Sequence, residues 1–221
     1  MEGTLICFDP ESYQQTGSFS IGSPSSSGYF EMEYSPLESS VYIIGALGQI
    51  VELHVPDMEI MDSFIICDIP IDIEIATEKP YFYVAGANSS RIYEVRQESN
   101  CLSRCCTLQS NPTCMAIDQD QDTILVGTLA EPEIVSIVTG SMWRRKMDNI
   151  PRILTIETIP NDTTFCAVFE LPNQNLCTIL YYFDPGFPPS PVVWTGTLTL
   201  DGSIHYMCAE SDGSHAYVLS Y

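Results

Sequence analysis

Tyr217-Val218-Leu219-Ser220-Tyr221, the last five residues of the chain, has the composition of a short β-strand. Four internal stretches are of the same kind: Val41-Tyr-Ile-Ile-Gly45, Tyr81-Phe-Tyr-Val-Ala-Gly86, Thr123-Ile-Leu-Val-Gly127 and Thr164-Phe-Cys-Ala-Val-Phe169. Gly45, Gly86 and Gly127 are spaced 41 residues apart. Each internal stretch opens a unit of four short strands. The N-terminal portion instead supplies Thr4 to Phe8, Gly17 to Ile21 and Tyr29 to Tyr34, three strands with no opening one. The C-terminal stretch matches that missing strand, which predicts a ring closed by its own two ends.

Outward from these stretches, runs rich in Val, Ile, Tyr, Phe and Thr alternate with Gly, Pro, Asn and Asp clusters at roughly 8–12-residue intervals. No long segment carries a 3.6-residue apolar period. A repeat of about 40 residues with four strands each is the period of a propeller blade. The expected fold is therefore all-β: a single β-propeller over residues 1–221, with five four-stranded blades and the C-terminal strand paired to the N-terminal blade. The expected blades are 39–78, 79–119, 120–160 and 161–213, with the fifth assembled from 216–221 and 1–38. In the second unit the strands are read as Val41 to Ala46, Gln49 to Val55, Ser63 to Ile69 and Asp72 to Ala76. In the third they are Tyr81 to Ala87, Arg91 to Arg96, Leu102 to Leu108 and Thr113 to Asp118. Closure would hide sheet edges that otherwise recruit other chains. Asp184-Pro-Gly-Phe-Pro-Pro-Ser-Pro191 is too proline-dense to pair inside a sheet and is expected as a surface excursion.

Read through the closure, Tyr217-Val-Leu-Ser220 followed by Thr4-Leu-Ile-Cys-Phe-Asp9 and Thr16-Gly-Ser-Phe-Ser-Ile-Gly22 resembles the YVTN-type β-propeller repeat. Tyr83-Val-Ala-Gly86 with Arg91-Ile-Tyr-Glu-Val95 looks like the same pattern, and Asn111-Pro112-Thr113 and Asn149-Ile-Pro-Arg152 match its Pro-led strand. The pattern is also similar to WD40 repeats, although there is no Gly-His with Trp-Asp pair, and Trp143 and Trp194 are the only tryptophans. The resemblance implies a fold and a binding role rather than an activity.

With 29 acidic against 8 basic residues the formal charge is -21, which disfavours direct nucleic-acid binding and adsorption to an anionic membrane. Basic protein partners, cations or simple solubility fit that charge. Residues 1–78 hold 14 of the carboxylates and no Lys or Arg, which reads as a solvated acidic rim, with a docking face for a basic partner as the alternative. The nine cysteines include no Cys-x-x-Cys pair and have no His at finger spacing, and Cys105 and Cys106 would point to opposite faces of a strand. No zinc or other cofactor is expected. Free thiols, an N-terminus without a charged n-region and apolar h-region, and no apolar run of about 18 residues predict a reducing, cytoplasmic location without membrane insertion.

Catalytic signals are weak. Asp118-Gln-Asp-Gln-Asp122 has the alternation of a calcium loop but lacks its Gly and its closing Glu, and it sits at a turn between strands, where turn chemistry alone favours Asp. His54, His205 and His215 stand near no nucleophile motif. A five-bladed propeller could process glycans with Asp and Glu on its inner strands. The opening strand of each unit is expected to be the inner one, and those strands read Val-Tyr-Ile-Ile, Tyr-Phe-Tyr-Val, Thr-Ile-Leu-Val, Phe-Cys-Ala-Val and Ala-Tyr-Val-Leu and carry no carboxylate. No catalytic or metal residue is assigned.

Two contact surfaces are expected. Trp143, Arg144, Arg145, Lys146 and Arg152 concentrate half of the basic residues, and strand alternation would put Trp143 and Arg145 on one face and Arg144 and Lys146 on the other. An outer strand that neutralises neighbouring acids is the alternative reading. Tyr182 precedes the proline-rich excursion and Phe187 lies within it, and the preset backbone there lowers the entropy lost when it is gripped. The functional expectation is a non-catalytic protein-interaction module or structural subunit of a larger assembly. The alternative is a small-ligand or glycan-processing enzyme using the central pocket.

Overall fold

The structure, a computed structural model, describes residues 4–9, 11–20, 29–45, 48–66, 68–118, 123–137, 142–146, 152–158, 164–171, 174–182, 196–200, 204–209 and 216–220. They form strands joined by turns, with a short 3-10 turn at Gln97–Ser99. Among them no helix is long and apolar enough to cross a membrane.

The first complete sheet contains β3 (Tyr29–Ser35), β4 (Ser40–Gly45), β5 (Gln49–His54) and β6 (Glu59–Ile65) in that spatial order. The second contains β7 (Pro70–Ile75), β8 (Tyr81–Gly86), β9 (Arg91–Arg96) and β10 (Cys101–Thr107). The third contains β11 (Pro112–Asp118), β12 (Thr123–Thr128), β13 (Glu133–Ser136) and β14 (Trp143–Lys146), and the fourth β15 (Ile153–Thr158), β16 (Thr164–Leu171), β17 (Gln174–Tyr182) and β18 (Gly196–Leu200). All are antiparallel meanders. Two further pairs, β1 (Thr4–Phe8) with β2 (Gln15–Ser20) and β19 (Ile204–Ala209) with β20 (Ala216–Ser220), lie at the two ends of the chain.

The sheets stack face to face in chain order, and the core is a series of layers between them. Along β8, Phe82 and Val84 point into the layer shared with Tyr42, Ile44 and Ile50 of the first sheet. Tyr83 and Ala85 point oppositely, into the layer with Met115, Ile117, Ile124 and Val126 of the third. Leu125, Ile134 and Ala116 face the fourth sheet at Phe165, Ala167 and Phe169. A middle strand with a sheet neighbour on each side and a packed layer on each face must be apolar at every position, which is why these stretches show no alternation. Each fully buried Val, Ile or Phe contributes about 1.5–3 kcal/mol.

This grouping corrects the expected blades. The strand boundaries of the third unit agree with the sequence reading to within a residue, but the expected units 39–78, 79–119, 120–160 and 161–213 are each one strand out of phase with the sheets. The stretch read as a fourth strand, such as Asp72 to Ala76, is the first strand of the following sheet. It pairs with the supposed opening strand across a tight turn, with Asp72 opposite Ala85 and Ile75 opposite Phe82. The apolar strands expected on the axis are therefore second in their sheets. The inner positions belong to β3, β7, β11, β15 and β19, each of which contacts the next. The third strand of the second unit also sits earlier than expected, at Glu59–Ile65, because the turn before it is tight and takes Met58 to a φ of 54°.

The two terminal pairs are separate two-stranded sheets, each packed beside a neighbouring four-stranded sheet. β19 packs beside β15, and Leu5 of β1 packs against Ile43 and Val51 of the first sheet. β20 pairs antiparallel with β19, with Ala209 opposite Ala216 and Met207 opposite Val218. The described ladders do not join β20 to β1.

Asp68, in the link from β6 to β7, holds one blade corner together. It accepts hydrogen bonds from the backbone N–H groups of Ile69 (2.7 Å), Asn88 (2.8 Å) and Ser89 (3.2 Å), from the Tyr93 hydroxyl (3.0 Å) and from the Ser89 hydroxyl. Its carboxylate lies directly over Gly86, in the space a Cβ would need, which explains the glycine at this strand end.

Candidate functional site

The inner strands put acids around a common cavity of about 160 Å³. Glu31 and Glu33 come from β3, Asp72 and Glu74 from β7, and Glu157 from β15, with Thr113, Cys114 and Met115 of β11 between them. In each strand the acids occupy alternate positions and so share one face. An inner strand has an open edge toward the axis, so it can carry polar side chains that a middle strand cannot. No Lys, Arg or His lines the cavity among the described residues.

Asp72 is the best anchored of the five: its Oδ2 accepts the Met115 N–H at 2.6 Å and its Oδ1 the Ile73 N–H at 2.8 Å. The inner strands are tied further outward by Thr113 Oγ1 to the Ile153 carbonyl at 3.2 Å and Thr158 Oγ1 to the Ile117 carbonyl at 2.7 Å. Crowding and burial push all five carboxyls toward the protonated form. Burial, then repulsion from Glu31, raises Glu33 to about 7; burial, then Glu33 and Glu31, raises Glu157 to about 7. Asp72 and Glu74 are raised well above the ordinary carboxyl range, first by burial and then by their acidic neighbours, with the N–H groups of Met115 and Ile73 opposing the shift at Asp72. Burial also raises Glu31 and pushes the Cys114 thiol up to about 12, so that thiol stays protonated and unreactive. Among the described residues no three acid, His or Cys side chains are placed to hold one metal ion.

The expectation that the inner strands lack carboxylates is overturned, because it assigned the inner position to the wrong strand of each unit. The repeat itself carried the needed signal. Glu31 and Asp72 are 41 residues apart, and so are Glu33 and Glu74, the same interval as Gly45 to Gly86.

Of the expected contact residues, Arg144 and Lys146 have described ion-pair partners. β14 is the outermost strand of its sheet, and Arg144 Nη1 binds Glu133 Oε2 of β13 at 2.8 Å, with Glu133 buried and its Oε1 accepting the Gln109 N–H at 2.6 Å. Lys146 pairs with Glu131. These two cations neutralise neighbouring acids. The second sheet uses the same device: Arg104 of β10 grips the buried Glu94 of β9 through Nε and Nη2 at 2.7 and 2.6 Å. Trp143 and Arg145 also belong to β14, and their side chains lie outside the described residues. Arg152 is separated from this group, standing just before the inner strand β15 and close enough to Cys114 to act on it electrostatically. Tyr182 ends β17 opposite Thr164, its side chain not described, and Phe187 with the proline-rich excursion lies outside the described residues. So do Asp120 and Asp122, whereas Asp118 ends β11 as a buried residue.

No protein-family model matches the sequence, and no curated protein matches it either. Solved structures do. Hydrazine synthase of Kuenenia stuttgartiensis aligns with a TM-score of 0.72 at 14% identity, covering 89% of this chain and 56% of that one. The β-propeller domain of Cps50 (Swd1) from Myceliophteria thermophila aligns with a TM-score of 0.70 at 9% identity, covering 90% and 64%. The fold is a β-propeller. The WD40 repeats of RRP9 align at 0.61 with 8% identity, covering 81% and 53%, so the propeller is WD40-like in architecture. The chain spans a little over half the length of these structures, and at such identities the likeness concerns the fold alone.

Proposed function

We propose that this propeller is a protein-interaction module whose axial cavity receives a basic segment of a partner within a larger assembly. The observation that carries the reading is the convergence of Glu31, Glu33, Asp72, Glu74 and Glu157 on one cavity with no lining cation among the described residues. Acids spread over three strands, with no three placed to share one metal ion, suit several separated ammonium or guanidinium groups better than a single metal ion. Binding a cation returns the raised carboxyls to their charged form, so some of the electrostatic cost of crowding them is relieved by the partner. The net charge of -21 draws such a partner in and repels nucleic acid, consistent with protein partners in a reducing, cytoplasmic setting.

Fluorescence anisotropy with a labelled Lys/Arg-rich peptide tests this. Binding that weakens with salt and drops at least tenfold in a Glu33→Gln/Glu74→Gln/Glu157→Gln variant supports it. Equal affinity of the variant, in a folded state verified by circular dichroism, sinks it.

One observation favours a second reading, a glycan-processing enzyme. Glu33 and Glu157, each raised to about 7, stand ready to serve as general acids beside other carboxylates. Turnover of aryl glycosides that vanishes in the same variant would select this reading over the first.

A further inference from the structure

The outer edge of the first sheet departs from its neighbours in charge. The buried glutamates of the next two sheets, Glu94 and Glu133, are each gripped by an arginine of the outermost strand, Arg104 or Arg144. Tyr83, Glu94 and Arg104 stand opposite one another across β8, β9 and β10, and Tyr42, Glu52 and Asp62 do the same across β4, β5 and β6. An acid thus occupies the place of Arg104. We propose that β6 docks an extended, arginine-bearing segment of a partner protein by strand addition, the partner's guanidinium entering beside Glu52 and Asp62 as Arg104 does beside Glu94.

Donors and acceptors do not balance at this place. Glu52 is buried, its Oε1 accepting from Ser40 Oγ at 3.1 Å and its Oε2 from Asn100 Nδ2 at 2.8 Å. The same amide group donates to Asp62 Oδ2 at 3.0 Å, so one neutral donor bridges two carboxylates. Among the described residues neither acid is ion-paired. Asn100 Oδ1 is buried without a hydrogen-bond partner. The Tyr42 hydroxyl, fully buried beside Glu52, closes no hydrogen bond either, whereas its counterpart on Tyr83 reaches Glu94 at 3.2 Å. A guanidinium supplies both the charge and a planar fork of N–H donors that two carboxylates and an orphaned amide oxygen can accept. No three acid, His or Cys side chains are placed here to hold a metal ion instead, among the described residues.

The strand itself offers the means of delivery. β6 is the last strand of its sheet, and its outer edge has no partner in the described ladders. Exposed edges are commonly guarded by Lys or Pro, and Glu59-Ile-Met-Asp-Ser-Phe-Ile65 contains neither. Met61 and Ile65 are 60% and 72% exposed along it, and Asp62 is exposed at its middle. An added strand lies about 4.8 Å from β6, so an arginine opposite Asp62 contacts that carboxylate and extends over it toward Glu52. Main-chain hydrogen bonds then supply affinity and the acidic site supplies selectivity. The absence of Lys and Arg from residues 1–78 leaves the approach negative, which favours a basic segment over an acidic one.

The experiment uses the full chain and a fluorescein-labelled peptide of alternating Thr and Val about one central Arg, at about 0.15 M salt. Saturable binding should weaken at least tenfold when citrulline replaces that arginine. It should weaken as much in Asp62→Arg, which supplies the guanidinium from within the chain. Asp62→Asn gives a smaller loss and covers the case in which Asp62→Arg fails to fold. Amide hydrogen exchange across Glu59–Ile65 should slow when the peptide binds. No binding by the wild-type chain, equal affinity of the citrulline peptide, unchanged affinity in the folded Asp62 variants, or unchanged exchange along β6 overturns the proposal. The Glu33→Gln/Glu74→Gln/Glu157→Gln variant should bind this peptide within threefold of the wild type; loss of binding there assigns the peptide to the axial cavity and overturns the proposal as well. The two sites lie at opposite edges of the first sheet and are removed by different substitutions, so the failure of either reading leaves the other standing.

Discussion

The Asp72 carboxylate accepts the Met115 backbone N–H at 2.6 Å, so an acid on one inner strand fastens the inner strand of the next sheet. The same side chain is part of the acidic lining of the axial cavity. Structure and candidate function therefore meet in one residue, and separating them requires variants at the carboxyls that make no such bond.

Glu33 and Glu157 are those variants' natural targets, and they make stability depend on pH. Their folded values near 7 exceed the ordinary 4.5, so the folded state binds protons more tightly than the unfolded chain between those limits. Stability contributed this way is present in full below about 4.5 and is lost as pH rises through about 7. The melting temperature should be higher at pH 5.5 than at pH 8, and Glu33→Gln/Glu157→Gln should flatten the difference. A melting temperature that climbs steadily from pH 5.5 to 8 contradicts the crowding of these acids.

Asp68 titrates in the opposite sense. Burial pushes its carboxyl up, but the hydrogen bonds from Ser89, Ile69, Asn88 and Tyr93 together hold it below the ordinary value. Its contribution is present above about 3.8 and disappears as pH falls below that. Gly86→Ala drives a methyl group into this carboxylate and should cost about 1–3 kcal/mol in urea unfolding. An alanine variant of wild-type stability would mean that the corner is loosely packed.

Arg144 distinguishes a structural from a docking role for the basic strand β14. Removing its guanidinium strands the buried Glu133, so Arg144→Ala should destabilise the fold by about 3 kcal/mol. Adding Glu133→Gln should recover part of that loss. A stable Arg144→Ala protein that loses a partner would instead make this strand a contact surface.

Ring closure is tested by truncation. Deleting residues 216–221 takes away the partner of β19 and, in a closed ring, also bares the edge of β1. The truncated chain should melt lower and elute as larger species in size-exclusion chromatography. An unchanged melting temperature with monomeric elution argues against closure by the two ends.

Much of the architecture is legible in the sequence because strand identity is local chemistry. Tyr81-Phe-Tyr-Val-Ala-Gly86 must be a buried strand wherever it lies, and its recurrence at a fixed interval announces the blade. Which strand begins a blade is not local. A periodic sequence has no marked origin, and a strand such as Asp72 to Ala76 pairs forward or backward with equally short turns; only the hydrogen-bond ladder chooses. That one choice moved Glu31, Glu33, Asp72, Glu74 and Glu157 from unremarkable positions to the axis, and it showed Arg144 satisfying Glu133. Similarly, Lys79, Arg96 and Arg104 are scattered along the chain, and a cleft between two packed sheets brings them together. Periodicity and burial reside in the chain itself, and they determined that this protein is a propeller. The convergence of charge depends on which strands face the axis and which sheets adjoin, and the tertiary structure alone decided it.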